Sequence, residues 1–189
     1  MKAYVFLGLF LVVGLMIAGC APKLECGDGI CSASIGENYQ NCAADCPAPA
    51  KGVGAKLSVV PATTTVSNGD AVTLEIRVAD VSNLFGFQFD INYDSSILEF
   101  QKVGKGAMLE TGGGDSFCVP NEPSPGLVRN IACTKLGGKG VDGSGVLATV
   151  TFTAISTGKS SVSLTNAKLA DSNAEKMAVS VSNGEVVVE

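Results

Sequence analysis

Along the C-terminal two thirds of this chain, apolar and polar residues alternate run after run, and no stretch there carries the 3.6-residue spacing of a useful helix. Side chains on a strand change face with a period of two, so each run assigns its own inside and outside. In "AVTLEIRV", Val72, Leu74, Ile76 and Val78 share one face, with Thr73, Glu75 and Arg77 on the other. In "LFGFQFDINYD", Leu84 to Asp94, the pattern predicts Phe85, Phe87, Phe89, Ile91 and Tyr93 facing inward and Gln88, Asp90 and Asn92 facing outward. "GVLATVTFTA" places Val146, Ala148, Val150, Phe152 and Ala154 inside and leaves Leu147, Thr149, Thr151 and Thr153 outside. A one-residue slip would exchange the faces, and roughly 1.5 to 3 kcal/mol per buried side chain opposes it.

Further runs, "LSVV", "ILEFQKV", "LVRNIACT", "SSVSLTNAKL", "MAVSV" and "EVVVE", are separated by Gly, Asn, Asp and Pro. About nine antiparallel strands predict an all-β, two-sheet sandwich. The 127 to 134 run does not assign its own faces. With 189 residues, 46% of them hydrophobic, the chain can build one such core plus short appendages.

Those appendages lie at the N-terminus. "MKAYVFLGLFLVVGLMIAGC" opens with one Lys, continues as an apolar run and ends in small residues directly before Cys20. This is the pattern of a secretory signal over residues 1–19, and its ending resembles the lipobox of secreted lipoproteins. The resemblance implies cleavage before Cys20, lipid on its sulfur and new amino group, and a lipid-anchored N-terminus over residues 20–25. An uncleaved membrane helix is the alternative, since the 17 residues from Ala3 to Gly19 are at the lower limit of a span. Either way the rest of the chain is expected outside the cytoplasm, anchored at the cell surface.

Seven cysteines partition accordingly. With Cys20 set aside, an even number remains, as an oxidising compartment requires. Cys26, Cys31, Cys42 and Cys46 crowd into residues 26–46, a module too small to bury a core and therefore expected to be stapled by two disulfides. Four cysteines allow three pairings and the sequence does not choose; Cys26 with Cys42 and Cys31 with Cys46 is the one expected here. The C-x4-C and C-x3-C spacings depart from zinc knuckles. Asp28, Glu37 and Asp45 are oxygen ligands of the kind calcium uses, though without an EF-hand pattern, so a structural calcium is one expectation for this module and solvated turn residues the other. Residues 47–55, rich in Pro, Gly and Ala, read as a linker to a domain over 56–189. Within that domain, Cys118 and Cys133 are expected to bridge and to tether a Pro-rich loop to a strand.

The same residues exclude several chemistries. The chain has no His and no Trp, which removes the usual general base and every His-containing metal site. "GKGVDG", Gly138 to Gly143, leads into a strand rather than a helix, so it reads as a glycine-rich loop and not a dinucleotide site. Asp90 and Asp94 on one strand would stand about 13 Å apart, beyond the roughly 5 to 9.5 Å of glycosidase carboxylates. Asp94 instead suits the turn at Ser95 and Ser96. Net charge is -5 and the 13 Lys and Arg are scattered, so nucleic acid is not an expected partner. No enzyme and no cofactor are expected.

Four motifs in order, "VSNGDAVTLEIRV", "GFQFDINYDSSILEF", "GSGVLATVTFTAISTGKSSVSL" and "LADSNAEKMAVSVSNGEVVV", make the domain resemble the cohesin family. The resemblance implies a nine-strand jelly-roll sandwich whose sheet face binds a dockerin, a small calcium-loaded helical module, in polysaccharide-degrading assemblies. Carried over to this chain, the family's polar pair falls on Gly86 and Gln88, with Gly86 standing where the family carries a polar residue. Ser144, Gly145 and Leu147 match a contact loop and an exposed apolar contact, and Asp90, Asn92 and Thr149 would complete a polar rim. A carbohydrate-binding module that holds polysaccharide at the cell surface is the alternative. Such modules stack sugar rings on exposed aromatics, and without Trp the best candidate is Tyr39.

Overall fold

A computed structural model describes residues 26–32, 41–42, 44–46 and 54–189. The signal segment, Cys20, Glu37, Tyr39 and most of the linker lie outside the described residues. The chain divides into two compact units, 1–48 and 49–189.

In the first unit, disulfides join Cys26 to Cys42 and Cys31 to Cys46. Cys42 and Cys46 are buried, while their partners Cys26 and Cys31 are exposed.

The described residues of the second unit form twelve strands: β1 (Ala55–Val60), β2 (Thr63–Val66), β3 (Ala71–Asn92), β4 (Leu98–Lys105), β5 (Asp115–Cys118), β6 (Glu122–Ser124), β7 (Leu127–Leu136), β8 (Val141–Ala154), β9 (Gly158–Asp171), β10 (Lys176–Met177), β11 (Val179–Ser182) and β12 (Gly184–Val188). One 3-10 turn, Met108–Glu110, precedes β5. The count exceeds nine because β2, β5, β6 and β10 are short strands with little or no alternation to reveal them. Conversely, two expected strands fuse into β3, whose 22 residues pass from one layer of the sandwich to the other. Its first half pairs with β1 and β8, and β8 in turn with β4. Its second half pairs with β9 and β7, and β7 with β5 and β6. Strands β12 and β2 extend β9, and β11 runs parallel to β1.

Between the layers lies a continuous apolar core. Phe152 of β8 is fully buried, with Tyr93 tilted against it at 4.9 Å and Phe100 edge-on at 6.2 Å. Phe89 and Ile91 of β3 are likewise fully buried. Each such side chain contributes about 1.5 to 3 kcal/mol of burial, enough to lock the register of its strand.

Bulges decide where the alternation breaks. Leu84 is fully buried and Phe85 only partly, because the β3–β9 register shifts between Leu84 and Gly86; the inward set is therefore Leu84, Phe87, Phe89 and Ile91. On β8, Ile76 faces Ala148 while Arg77 faces Val146, so Leu147 is an extra residue. That bulge turns Val146 toward the side of Arg77 and buries Leu147, which is 1% exposed. The β7 run lacks period-two alternation for the same reason: Val128 and Ile131, three apart, both point inward across a bulge at Asn130. Asn130 and Asn166 both adopt left-handed backbone, φ 56° and 52°, a conformation that Asn tolerates better than most residues.

Candidate docking face

The outward surface of the β9–β3–β7–β5 layer carries a groove of about 400 Å³. Its floor is made of small or flat residues. Gly86 lies between Thr134 of β7 and Ala170 of β9, and Gln88 lies between Ala132 and Lys168. On one side stand Phe117 of β5, which pairs with Thr134, and Val119, whose N–H donates to Ala132 at 3.1 Å. On the other stand Ala174 and Lys176, on the turn and short strand after β9. A Cβ added to Gly86 would meet the Cys133 carbonyl oxygen at 3.3 Å and Thr134 Oγ1 at 3.5 Å, so glycine keeps the floor low.

Phe117, Val119 and Leu136 are large apolar side chains that stay exposed, Phe117 at 55%. Leu136 pairs with Asp115, two residues along each strand from the Phe117–Thr134 pair, and so shares their face. Contiguous apolar surface with Gln88, Lys168 and Lys176 around it is the anatomy of a protein interface. Sequence reasoning missed Phe117, Val119, Ala132, Thr134, Lys168 and Lys176. Phe117 belongs to a strand too short to alternate, and an exposed Phe in "GDSFCVP" was the one available signal.

The turn supporting the Lys176 side is organised by Asp171. Its Oδ1 accepts the N–H groups of Asn173 (2.8 Å) and Glu175 (2.9 Å). The Glu175 N–H above all, then the Asn173 contacts, hold this carboxyl below its usual range.

The structure separates the residues expected to share one face. Gln88 lies on the groove floor, and Asn92 remains in the same layer, half-buried, with Nδ2 donating to Thr165 Oγ1 at 2.8 Å. Asp90 is not a rim contact: it is 7% exposed and accepts the Asn130 N–H (3.0 Å) and the Asn166 side-chain amide (2.7 Å). Both neighbouring strands bulge beside Asp90, and its carboxylate closes over them. Ser144, Gly145, Leu147 and Thr149 belong to β8 in the opposite layer, because β8 pairs with the first half of β3 and with β4. Ser144 Oγ accepts the Asp80 N–H (3.3 Å), and Gly145 makes room for Met108, whose sulfur would lie 2.6 Å from an added Cβ. Leu147 is a core residue there, not an exposed contact.

Cys118 and Cys133 form a disulfide between directly opposed residues of β5 and β7, Cα atoms 4.0 Å apart, so the bridge ties strand to strand. Asp94 Oδ1 accepts Ser96 N–H (2.9 Å) and Oγ–H (2.6 Å) in the expected turn, and the Ser96 hydroxyl, then its N–H, lowers the Asp94 pKa. In the Cys-rich unit, Asp28 Oδ1 accepts the Ile30 N–H at 2.8 Å. Asp45 accepts N–H groups from Gly27, Asp28 (3.2 Å) and Gly29 (2.9 Å). Gly27 contributes most to holding the Asp45 carboxyl below its usual range. Both carboxylates thus already serve as loop acceptors.

A family profile described as "Cohesin domain" matches residues 57–188. The chain belongs to the cohesin family. The cohesin domain's structural neighbours include CaCohA2 of Clostridium acetobutylicum, solved in complex with CaDoc0917, at 22% identity and TM-score 0.59, covering 71% of this chain and 99% of that one. The sixth cohesin of Acetivibrio cellulolyticus scaffoldin B, solved with a mutant Cel5 dockerin, aligns at 22% identity and TM-score 0.59, covering 72% and 100%. A non-cellulosomal cohesin of the hyperthermophilic archaeon Archaeoglobus fulgidus aligns at 12% identity and TM-score 0.59, covering 72% and 92%. No curated protein sequence matches the chain. At these identities the structural likeness is one of fold.

Proposed function

We propose that this protein is a non-catalytic, lipid-anchored adaptor outside the cytoplasm, and that its cohesin domain binds a dockerin-like module through the β9–β3–β7–β5 face. The observation that carries the reading is the exposed apolar set Phe117, Val119 and Leu136 beside the low floor at Gly86 and Ala132. Large apolar side chains stay in water at a cost, and a helical partner inserting its own into the groove would remove it. The C. acetobutylicum and A. cellulolyticus cohesins were solved holding dockerins, which supports the partner class. Three disulfides support an oxidising compartment, and the run ending at Cys20 supports an anchor there.

The test is capture by the full chain of a panel of calcium-loaded dockerins, with insoluble polysaccharide as a parallel bait. Dockerin retention that is lost in chelator supports the proposal. Retention on polysaccharide with no dockerin bound overturns it in favour of sugar binding. Mass spectrometry of the membrane-extracted protein checks acylated Cys20.

A further inference from the structure

Strand β5 supplies one wall of the groove, yet none of its residues is buried. Asp115 and Phe117 are exposed, Ser116 and Cys118 half-buried, and the strand contributes nothing to the core cluster. Among the described residues β5 pairs with β7 alone, so it is an edge strand four residues long. A segment with so little burial has little to set against its conformational entropy and belongs to the low-stability end of a fold. The loop before it, Gly112 to Gly114, has positive φ at all three glycines. That loop is held by the buried Lys135, whose Nζ donates to the Leu109 (2.9 Å) and Gly113 (2.7 Å) carbonyls. The one covalent tie is Cys118–Cys133, and Cys118 lies between the two wall residues, Phe117 and Val119. Cys133, by contrast, packs against the core.

We infer that the Cys118–Cys133 disulfide fastens the wall of the docking groove, making these two cysteines positioning residues for partner binding rather than staples of the sandwich. Both are half-buried and line an opening beside β5 and β7. A dithiol reductant would open the bridge by exchange. One thiolate attacks a sulfur to give a mixed disulfide and releases the other cysteine as thiolate; the second thiol then closes the reductant's own disulfide. Two electrons pass to the protein, both cysteines end as thiols, and β5 is left with its ladder bonds and the hydrogen bond that Ser116 Oγ–H donates to Glu110 Oε1 at 3.2 Å. The docking readout rests on the function proposed above; the local-order readout does not.

The test is the full chain carrying Cys118→Ser and Cys133→Ser together, which leaves Cys26–Cys42 and Cys31–Cys46 intact. Hydrogen exchange at the Phe117 and Val119 amides is expected to accelerate at least tenfold, while Phe89 and Val150 keep their protection. Capture of a dockerin that binds the native chain is expected to fall at least tenfold. Unchanged exchange in β5, acceleration throughout the sandwich, or unchanged capture with a loosened β5 would each overturn the inference. If the native chain captures no dockerin, the proposed function fails, and the exchange comparison still decides whether the bridge fastens β5.

Discussion

Asp90 of β3 accepts the side-chain amide of Asn166 at 2.7 Å across 76 residues of sequence. Its other oxygen takes the backbone N–H of Asn130 at 3.0 Å, so one carboxylate serves bulges on both neighbouring strands. This is a structural role, and it removes Asp90 from the docking surface.

Asp90→Leu is accordingly expected to destabilise the domain by about 2 to 4 kcal/mol, since two polar groups lose a charged partner and one is backbone. Urea unfolding should show it. Partner capture measured where the variant remains folded should be little changed, because the carboxylate does not reach the groove.

Leu147 behaves as core. Leu147→Ala should cost about 2 to 5 kcal/mol through lost burial and a cavity, and Leu147→Asp should leave no cooperative thermal transition. A Leu147→Asp protein that melted like the native one would contradict the buried position seen here.

On the groove itself, Phe117→Ala should leave stability within about 0.5 kcal/mol while weakening dockerin capture roughly tenfold or more. Gly86→Asn tests the floor. Its Cβ needs only a small adjustment beside the Cys133 carbonyl and Thr134, but the rest of the side chain would fill the groove, so capture should fall with the melting temperature held. Titration calorimetry with one dockerin reports both variants.

Acid should loosen the Cys-rich unit. The Asp45 carboxyl is held below its usual range chiefly by the Gly27 N–H, so its ionised form favours the folded loop. For a depressed carboxyl that contribution is complete above the unfolded value and is lost as pH falls through the lower folded one. Hydrogen exchange, corrected for its intrinsic pH dependence, should show protection at Gly27 and Gly29 declining below the ordinary carboxylate range. In Asp45→Asn the same amides should be less protected at neutral pH and lack that acid transition.

How far the fold could be read in advance differed from strand to strand. Period-two alternation is a local property, so Val72 to Val78 and Ala148 to Ala154 revealed their inward faces without help from the rest of the chain. Cohesin membership was legible too, through four motifs in order. The docking face was not. Sharing a face requires sharing a layer, and the β8 residues that the resemblance puts beside Gln88 lie on a strand whose hydrogen bonds run to the other half of β3. Phe117 was invisible because a four-residue edge strand buries nothing and so leaves no apolar pattern.

Local composition by itself determined the strand class of this protein, the alternation within unbroken runs and the even set of cysteines available for staples. Tertiary structure decided which side each run presents after a bulge. An extra residue reverses the parity of everything beyond it, and whether one is tolerated depends on distant partners. Asn130 and Asn166 can hold left-handed backbone inside strands because Asp90, 40 and 76 residues away, satisfies the polar groups that their bulges expose.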